Sequence, residues 1–242
     1  MEDDVSLMAA PTVGETAYRR IKCDVIFGRL DPGQKLKLEK MAVAYSASIS
    51  TLRETLNRLC SEGLVVAEGQ RGFEVAPISA EEFRQLADMR ELLECYALEE
   101  AFKSGDLDWE ARVVAAHHKL SALEKLMLSG DDSQTERWKQ CDWQFHHALI
   151  SACGSKVLLD AHAAAYDKYL RYQMIAVVFR GEVAALEHKK LLDAALKRDF
   201  ATAQKVLIAH IHDCVEHALS KPNKLTAATG TGRAPSAKKA RK

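Results

Sequence analysis

The stretch SASISTLRETLNRLCSEGLVVAEGQRGFEV, residues 46–75, changes its hydrophobic period partway along. In the first half Leu52, Leu56 and Leu59 recur at helical spacing, which predicts a helix over 49–62. In the second half, 63–75, apolar and polar residues alternate on either side of Gly69 and Gly72, which predicts a small hairpin turning at 69–72. The residues before this stretch complete a unit. Ala17, Ile21, Val25 and Ile26 mark an amphipathic helix over 15–28, LDPGQKL (30–36) reads as a turn, and a short helix is predicted around 38–45. Helix, helix, turn, helix and hairpin is the order of a winged helix-turn-helix.

A helix that enters the major groove of double-stranded DNA needs polar side chains at its exposed N-terminal end and an apolar rear. Ser48, Ser50 and Thr51 supply short donors, and Arg53 supplies a fork that can bind guanine or phosphate through two hydrogen bonds. At the hairpin tip, Arg71 with Gly69 and Gln70 can reach a neighbouring groove or phosphate. Ser, Thr and Arg content alone describes a solvated helix with a loop arginine more readily than a DNA reader. The order of the elements is what turns the preference toward DNA.

Downstream the grain changes. Residues 80–219 contain no proline and read as long amphipathic helices broken by SGDLD (104–108), SGDDS (129–133), CGS (153–155), RGE (180–182) and RDF (198–200), about six helices in all. APIS (76–79) is the hinge, and Ser79 with Glu82 forms an S-x-x-E capping box for the next helix. The expected organisation is a flexible N-terminus (1–14), a winged helix-turn-helix (15–78), an all-helical domain of about six or seven helices (79–220) and a disordered basic tail (221–242). The fold class is mainly α.

Composition sets the outer bounds. The chain of 242 residues is 48% hydrophobic, enough for a sizeable core, and contains no apolar run long enough to span a membrane. The opening MEDDVSLMAAP is acidic and lacks a signal peptide's basic-then-apolar pattern, so the expected compartment is the cytoplasm. Six cysteines at 23, 60, 95, 141, 153 and 214 include no CxxC pair and read as small buried hydrophobes in a reducing cell. The formal net charge is +0 but uneven: residues 15–76 carry ten basic and eight acidic residues, whereas 81–220 carry 17 basic and 23 acidic. The tail from Lys221 to Lys242 has seven Lys or Arg and no acid, which would add salt-dependent, sequence-independent DNA affinity.

One helix of the second region poses a chemical question. In CDWQFHHALISACGS (141–155), Asp142 and His146 stand four apart, so they share the side that also carries Phe145 and Leu149. Polar groups on an apolar side are costly unless paired, and this pair can simply satisfy itself. Two further histidines alter the weighing. His188 shares a face with Ala184, Leu191, Leu192 and Ala195, and His210 with Ala203, Val206, Leu207 and Cys214. Three helices therefore point imidazole or carboxylate inward, a suitable set for a divalent metal such as zinc or nickel. His117, His118, His147, His212 and His217 lie in mixed or polar positions and read as structural or surface residues.

The N-terminal segment resembles the DNA-binding domain of the GntR family. Gly28, Leu30, Pro32, Gly33, Arg53, Glu54, Leu56, Leu59, Glu62, Gly63, Leu64, Gly72 and Val75 match that family's G-x-L-x-P-G turn, its R-E-x-L-x-x-L-x-x-E-G-L helix and its G-x-x-V wing. There are departures. Ser46 stands where the family usually has Gly, Ile49 where Arg usually follows the first Ser, and Glu39 where an Arg often contacts DNA. The resemblance thus implies an operator that differs from the common family site, with Arg53 and Arg71 carrying more of the contact. Residues 80–219 resemble the FCD effector domain of the family's FadR-type branch. Its metal-binding members carry D-x-x-x-H on one helix and single histidines on two later ones, which Asp142, His146, His188 and His210 match. Arg90 in LADMRELLECYALEEA and Arg171 in DKYLRYQM take the places of arginines that face the ligand cavity.

The resemblance implies a homodimeric, metabolite-responsive regulator, a repressor by preference. It would bind a palindromic operator and respond to a small carboxylate at the metal. A metal-dependent hydrolase or oxygenase with an accessory DNA-binding region is the alternative from another class, although no residue stands out as its separate general base. A DNA-binding dimer with no effector is the third.

Overall fold

A computed structural model of the chain describes residues 11–69, 72–176, 179–220 and 222. The expected contacts of Gln70 and Arg71 lie outside the described residues, as do residues 1–10 of the flexible start and all of the basic tail except Pro222. The chain divides into two compact units between Pro77 and Ile78.

In the first unit, α1 (Val13–Ile26) starts inside the segment read as flexible because Thr12 caps it, its hydroxyl accepting from the Glu15 N–H at 3.1 Å. Helix α2 spans Leu38–Tyr45 and α3 spans Ile49–Ser61. Between them Ser46 adopts the left-handed conformation, φ 51° and ψ 45°, which sets the helix-turn-helix bend. Leu52, Leu56 and Leu59 are buried together with Ile21 and Val25 of α1. Fully burying one such side chain contributes about 1.5–3 kcal/mol.

The hairpin forms as β2 (Val65–Ala67) and β3 (Phe73–Val75), paired antiparallel with Val66 opposite Glu74. The stretch read only as a turn does more. Its last residues form β1 (Lys35–Leu36), which pairs with β3 and makes a three-stranded sheet of order β1-β3-β2. Gly33 (φ 75°) turns the chain so that its N–H reaches Val75 O at 3.0 Å and Gln34 O accepts from the Val75 N–H at 3.0 Å. Two residues are too few to show an alternation, so this strand is defined by its partner.

The second unit contains α4 (Ala80–Ser104), α5 (Leu107–Leu128), α6 (Thr135–Ile150), α7 (Lys156–Ala176), α8 (Glu182–Lys197) and α9 (Phe200–Leu219), among the described residues. Their inner faces form one core that includes Phe83, Leu98, Trp109, Phe145, Leu191 and Ile211. Ser79 caps α4, its hydroxyl accepting from the Glu82 N–H at 3.0 Å. The other half of the capping box is rerouted through α7. The Ser79 N–H donates to the Tyr172 hydroxyl at 3.2 Å, and that hydroxyl donates to the Glu82 carboxylate. All six cysteines are free thiols. Among the described residues no helix is long and apolar enough to cross a membrane.

Candidate metal centre and nucleic-acid interface

Asp142 and His146 on α6, His188 on α8 and His210 on α9 are all buried, and each offers a ligand atom within 4.8 Å of the others. That spread is close to the ~4.2 Å that separates opposite ligands around a metal with ~2.1 Å bonds. The helical periods that buried Phe145, Leu191 and Leu207 bring these polar residues to the same interior point.

Each imidazole is held at Nδ1 by a glutamate from elsewhere. His146 Nδ1 lies 3.0 Å from Glu94 Oε2, His188 Nδ1 lies 2.6 Å from Glu124 Oε1, and His210 Nδ1 lies 2.8 Å from Glu187 Oε2. A carboxylate on Nδ1 fixes the tautomer and leaves Nε2 as the donor toward a metal. Nε2 of His146 and Nε2 of His188 are buried with no hydrogen-bond partner. His188 Nε2 lies 3.2 Å from Asp142 Oδ1, but not along a hydrogen-bonding direction. The two atoms stand side by side, as two ligands of one ion do. Orphaned nitrogens beside a carboxylate, each ring braced from behind, fit a divalent metal.

Charges around the point are arranged to match. Burial pushes the Asp142 carboxyl up, but Lys139, His188 and His146 outweigh it and hold it well below the usual carboxylate range. Lys139 Nζ is 3.4 Å from Asp142 Oδ2, which also accepts from the Tyr166 hydroxyl at 3.0 Å. Burial disfavours charge on His188, yet Asp142 and Glu124 outweigh it and push its pKa up to about 9. His210 is pushed down to about 3 by burial, against Glu187 and with His188 and His146 adding to the effect. Burial also lowers His146, against Glu94. His188 thus sits between two carboxylates, Asp142 and Glu124.

The cavity at this point measures about 10 Å³ and is lined by Lys139, Asp142, Arg180, His188 and His210, with Trp138 and Gln173 among the rest. It has room for one ion or one water. Neither arginine expected at the ligand cavity lines it. Arg90 is buried with its Nε donating to Glu94 Oε1 at 2.6 Å and its guanidinium 4.3 and 4.4 Å from the ring centres of Tyr166 and Tyr169. Arg171 is buried on α7, where burial lowers its pKa against Tyr172 and Glu82. The cations at the cavity are Lys139 and Arg180 instead, and Arg180 is paired with the Glu187 that holds His210.

Sequence reasoning missed Glu94, Glu124, Glu187, Lys139, Tyr166 and Arg180. It also missed buried His162, whose Nε2 lies 2.9 Å from Glu94 Oε1. Glu94 carried one available signal, standing four residues after Arg90 on the same inward face. The partners of Glu124 and Glu187 depend on which helices pack together, and no spacing announces them.

In the first unit, Ser50, Arg53 and Asn57 are exposed on α3. Arg53 makes no ion pair among the described residues. Arg53 and Asn57 line an open groove of about 510 Å³ with Lys35, Lys37, Glu39 and Gly69. Ser48 is committed to the backbone as the N-cap of α3, accepting from the Thr51 N–H at 3.2 Å, and its hydroxyl lies 2.8 Å from that of Ser50. Thr51 is half-buried, its hydroxyl 2.9 Å from that of Ser48. Lys35, Lys37 and Asn57 were not singled out from sequence.

A winged helix-turn-helix followed by a six-helix unit with an interior acid–imidazole cluster defines a transcription regulator with an appended effector-type domain. Residues 13–75 match the family described as bacterial regulatory proteins, gntR family, and residues 85–213 match the FCD domain. The chain belongs to the GntR family, in the FadR-type branch that carries an FCD domain. It is 35% identical over 203 residues to the HTH-type transcriptional regulator BphR of Paraburkholderia xenovorans (strain LB400), itself uncharacterized, covering 83% of each chain. It is 32% identical over 202 residues to the HTH-type transcriptional repressor GlaR of Escherichia coli (strain K12), covering 80% of this chain and 90% of that one. Among solved structures, E. coli McbR/YncC shares the fold with a TM-score of 0.71 and 19% identity, covering 87% of this chain and 99% of the other. The domains are those of a transcription regulator.

Proposed function

We propose that the chain is a metal-containing, metabolite-responsive repressor that binds a palindromic operator as a homodimer. Asp142, His146, His188 and His210 would hold the metal, and three imidazole nitrogens with one carboxylate favour zinc or nickel. The observation that carries this reading is the pair of unpartnered, buried Nε2 atoms on His146 and His188, each ring braced at Nδ1 by a glutamate. Bound there, the metal would supply a Lewis-acidic position for an oxygen ligand.

A small carboxylate is the effector in this reading. A cavity of about 10 Å³ admits the metal and not the acid, so the acid enters only if lining side chains move. Lys139 and Arg180, which line the cavity, are the cations that would meet its carboxylate, with Arg90 holding α4 to α7 through the rings of Tyr166 and Tyr169. Effector binding changes DNA affinity only to the extent that it favours one arrangement of the dimer. On the DNA side, Ser50, Thr51 and Arg53 would meet the major groove, Ser48 caps the helix that presents them, and Gly69, Gln70 and Arg71 are placed by the sequence where a wing contact would fall. GlaR is named a repressor, which favours repression here.

The test measures metal content of the purified protein before and after chelation, followed by titration of operator DNA with and without metal and a panel of small organic acids. Metal at about one ion per chain and acid-dependent release of operator are expected. Metal-free protein that still releases operator on adding acid contradicts the metal assignment. Operator binding indifferent to every acid leaves a regulator without an effector.

A further inference from the structure

A groove of about 370 Å³ lies between α5 and α6. That volume falls among those of pockets that take small organic molecules, about 300–1,000 Å³. Its lining shares no residue with the interior cavity at the acid–imidazole cluster. His118 and Lys119 of α5 and Arg137 of α6, all exposed, line the groove, and no carboxylate does. Among the described residues none of these three makes a hydrogen bond or an ion pair. Several other exposed cations of this unit are neutralised one helical turn away, as Lys156 is by Asp160 and Lys189 by Asp193. Here the local sequence offers no such acid. The positions three and four away from Lys119 are Ala or Leu, and those around Arg137 are Ser, Gln or Cys. The rest of the lining is apolar in character: Leu123 and Cys141 are buried, and Leu126 is 42% exposed.

We propose that this groove is a second ligand site, for a small carboxylate that carries an apolar body. It is separate from the metal centre and does not depend on that reading. Charge selects the head of the ligand. Two like charges share one concave surface with no acid between them, which focuses a positive field on the groove. An anion lodged there relieves their repulsion. The Arg137 guanidinium can donate to both oxygens of one carboxylate, and the Lys119 ammonium adds a point charge beside it. His118 supplies a further ring nitrogen on the α5 wall. The apolar lining selects the body of the ligand. A bare anion leaves Leu126 in water, and a neutral apolar molecule leaves Lys119 and Arg137 without a counter-charge. A molecule with both parts satisfies the whole lining, as in pockets where a few polar groups orient a mainly apolar ligand.

The full chain is titrated with naphthoate in a calorimeter, with naphthamide as the neutral control and inorganic phosphate as the bare anion. Saturable binding of naphthoate is expected, with both controls roughly tenfold weaker. Combining Lys119→Glu with Arg137→Glu raises the naphthoate Kd roughly tenfold or more. Helical circular dichroism stays as in wild type, since both side chains are exposed. Treating wild type with a chelator leaves the naphthoate Kd unchanged. A folded double variant with the wild-type Kd overturns the proposal, as does a wild type without saturable binding. Binding that disappears on chelation places the acid at the metal, which overturns the groove and leaves the metal reading standing. Phosphate or naphthamide bound as tightly as naphthoate overturns the assigned class of ligand.

Discussion

Glu94 Oε2 lies 3.0 Å from Nδ1 of His146, although the two residues stand 52 positions apart on α4 and α6. The other oxygen of the same carboxylate accepts from Arg90 at 2.6 Å and lies 2.9 Å from His162 Nε2. Burial would push the Glu94 carboxyl up, but Arg90, His146 and His162 outweigh it and hold it well below the usual range. One buried carboxylate therefore ties three helices behind a metal-ligand candidate.

Replacing that carboxylate by an amide should show in two measurements. Glu94→Gln leaves the Arg90 guanidinium buried without a counter-charge, and removing one partner of a buried pair costs about 3–5 kcal/mol. Denaturant unfolding reads that loss. Metal affinity should fall about 10–100-fold, because His146 loses the group that orients it. A folded variant with wild-type affinity in a chelator competition would show that the brace has no influence on the metal.

His188→Ala removes a ligand candidate and the imidazole that lies between Asp142 and Glu124. Metal content should drop, and the metal-free variant should melt below metal-free wild type because two carboxylates are left buried together. Metal at a thousand times its Kd stabilises wild type by about 4 kcal/mol. The variant should show almost no metal-dependent shift in Tm. An equal shift in both proteins would place the metal elsewhere.

Arg53 is exposed and makes no ion pair among the described residues, so its loss should touch binding and not folding. Arg53→Ala is expected to weaken operator binding by about 1–3 kcal/mol, roughly fivefold to 150-fold, at fixed salt. Fluorescence anisotropy with the operator measures this, and an unchanged Kd would remove Arg53 from the interface.

Ser46 holds a left-handed conformation at φ 51° and ψ 45°. A side chain there costs about 1–2 kcal/mol relative to glycine, less whatever a serine hydroxyl recovers locally. Ser46→Gly should therefore stabilise the chain by about 1 kcal/mol, read as a higher denaturant midpoint at unchanged slope. A destabilised variant would mean that the serine side chain contributes more than its backbone costs.

Much of this protein is written in short-range patterns. The 3.6-residue period of Leu52, Leu56 and Leu59, the alternation near Phe73, and the Ser79 cap all lie within a few positions of what they specify. They were legible for that reason, as was the inward pairing of Asp142 and His146 on one helix. Helical periodicity placed His188 and His210 on inward faces as well, the family motifs matched all four, and the geometry brings them to one point.

What the sequence determined by itself was the run of helices, the β2–β3 hairpin and the apolar stripe that faces inward from each, because these follow from periodicity along a single helix or strand. Tertiary structure alone decided that β1 pairs with β3, that Glu124 meets His188 and Glu187 meets His210, and that Lys139 and Arg180 line the cavity in place of Arg90 and Arg171. Those partners come from different elements, and which side chains meet depends on how the faces of those elements pack, a choice made by the whole core and recorded in no local spacing.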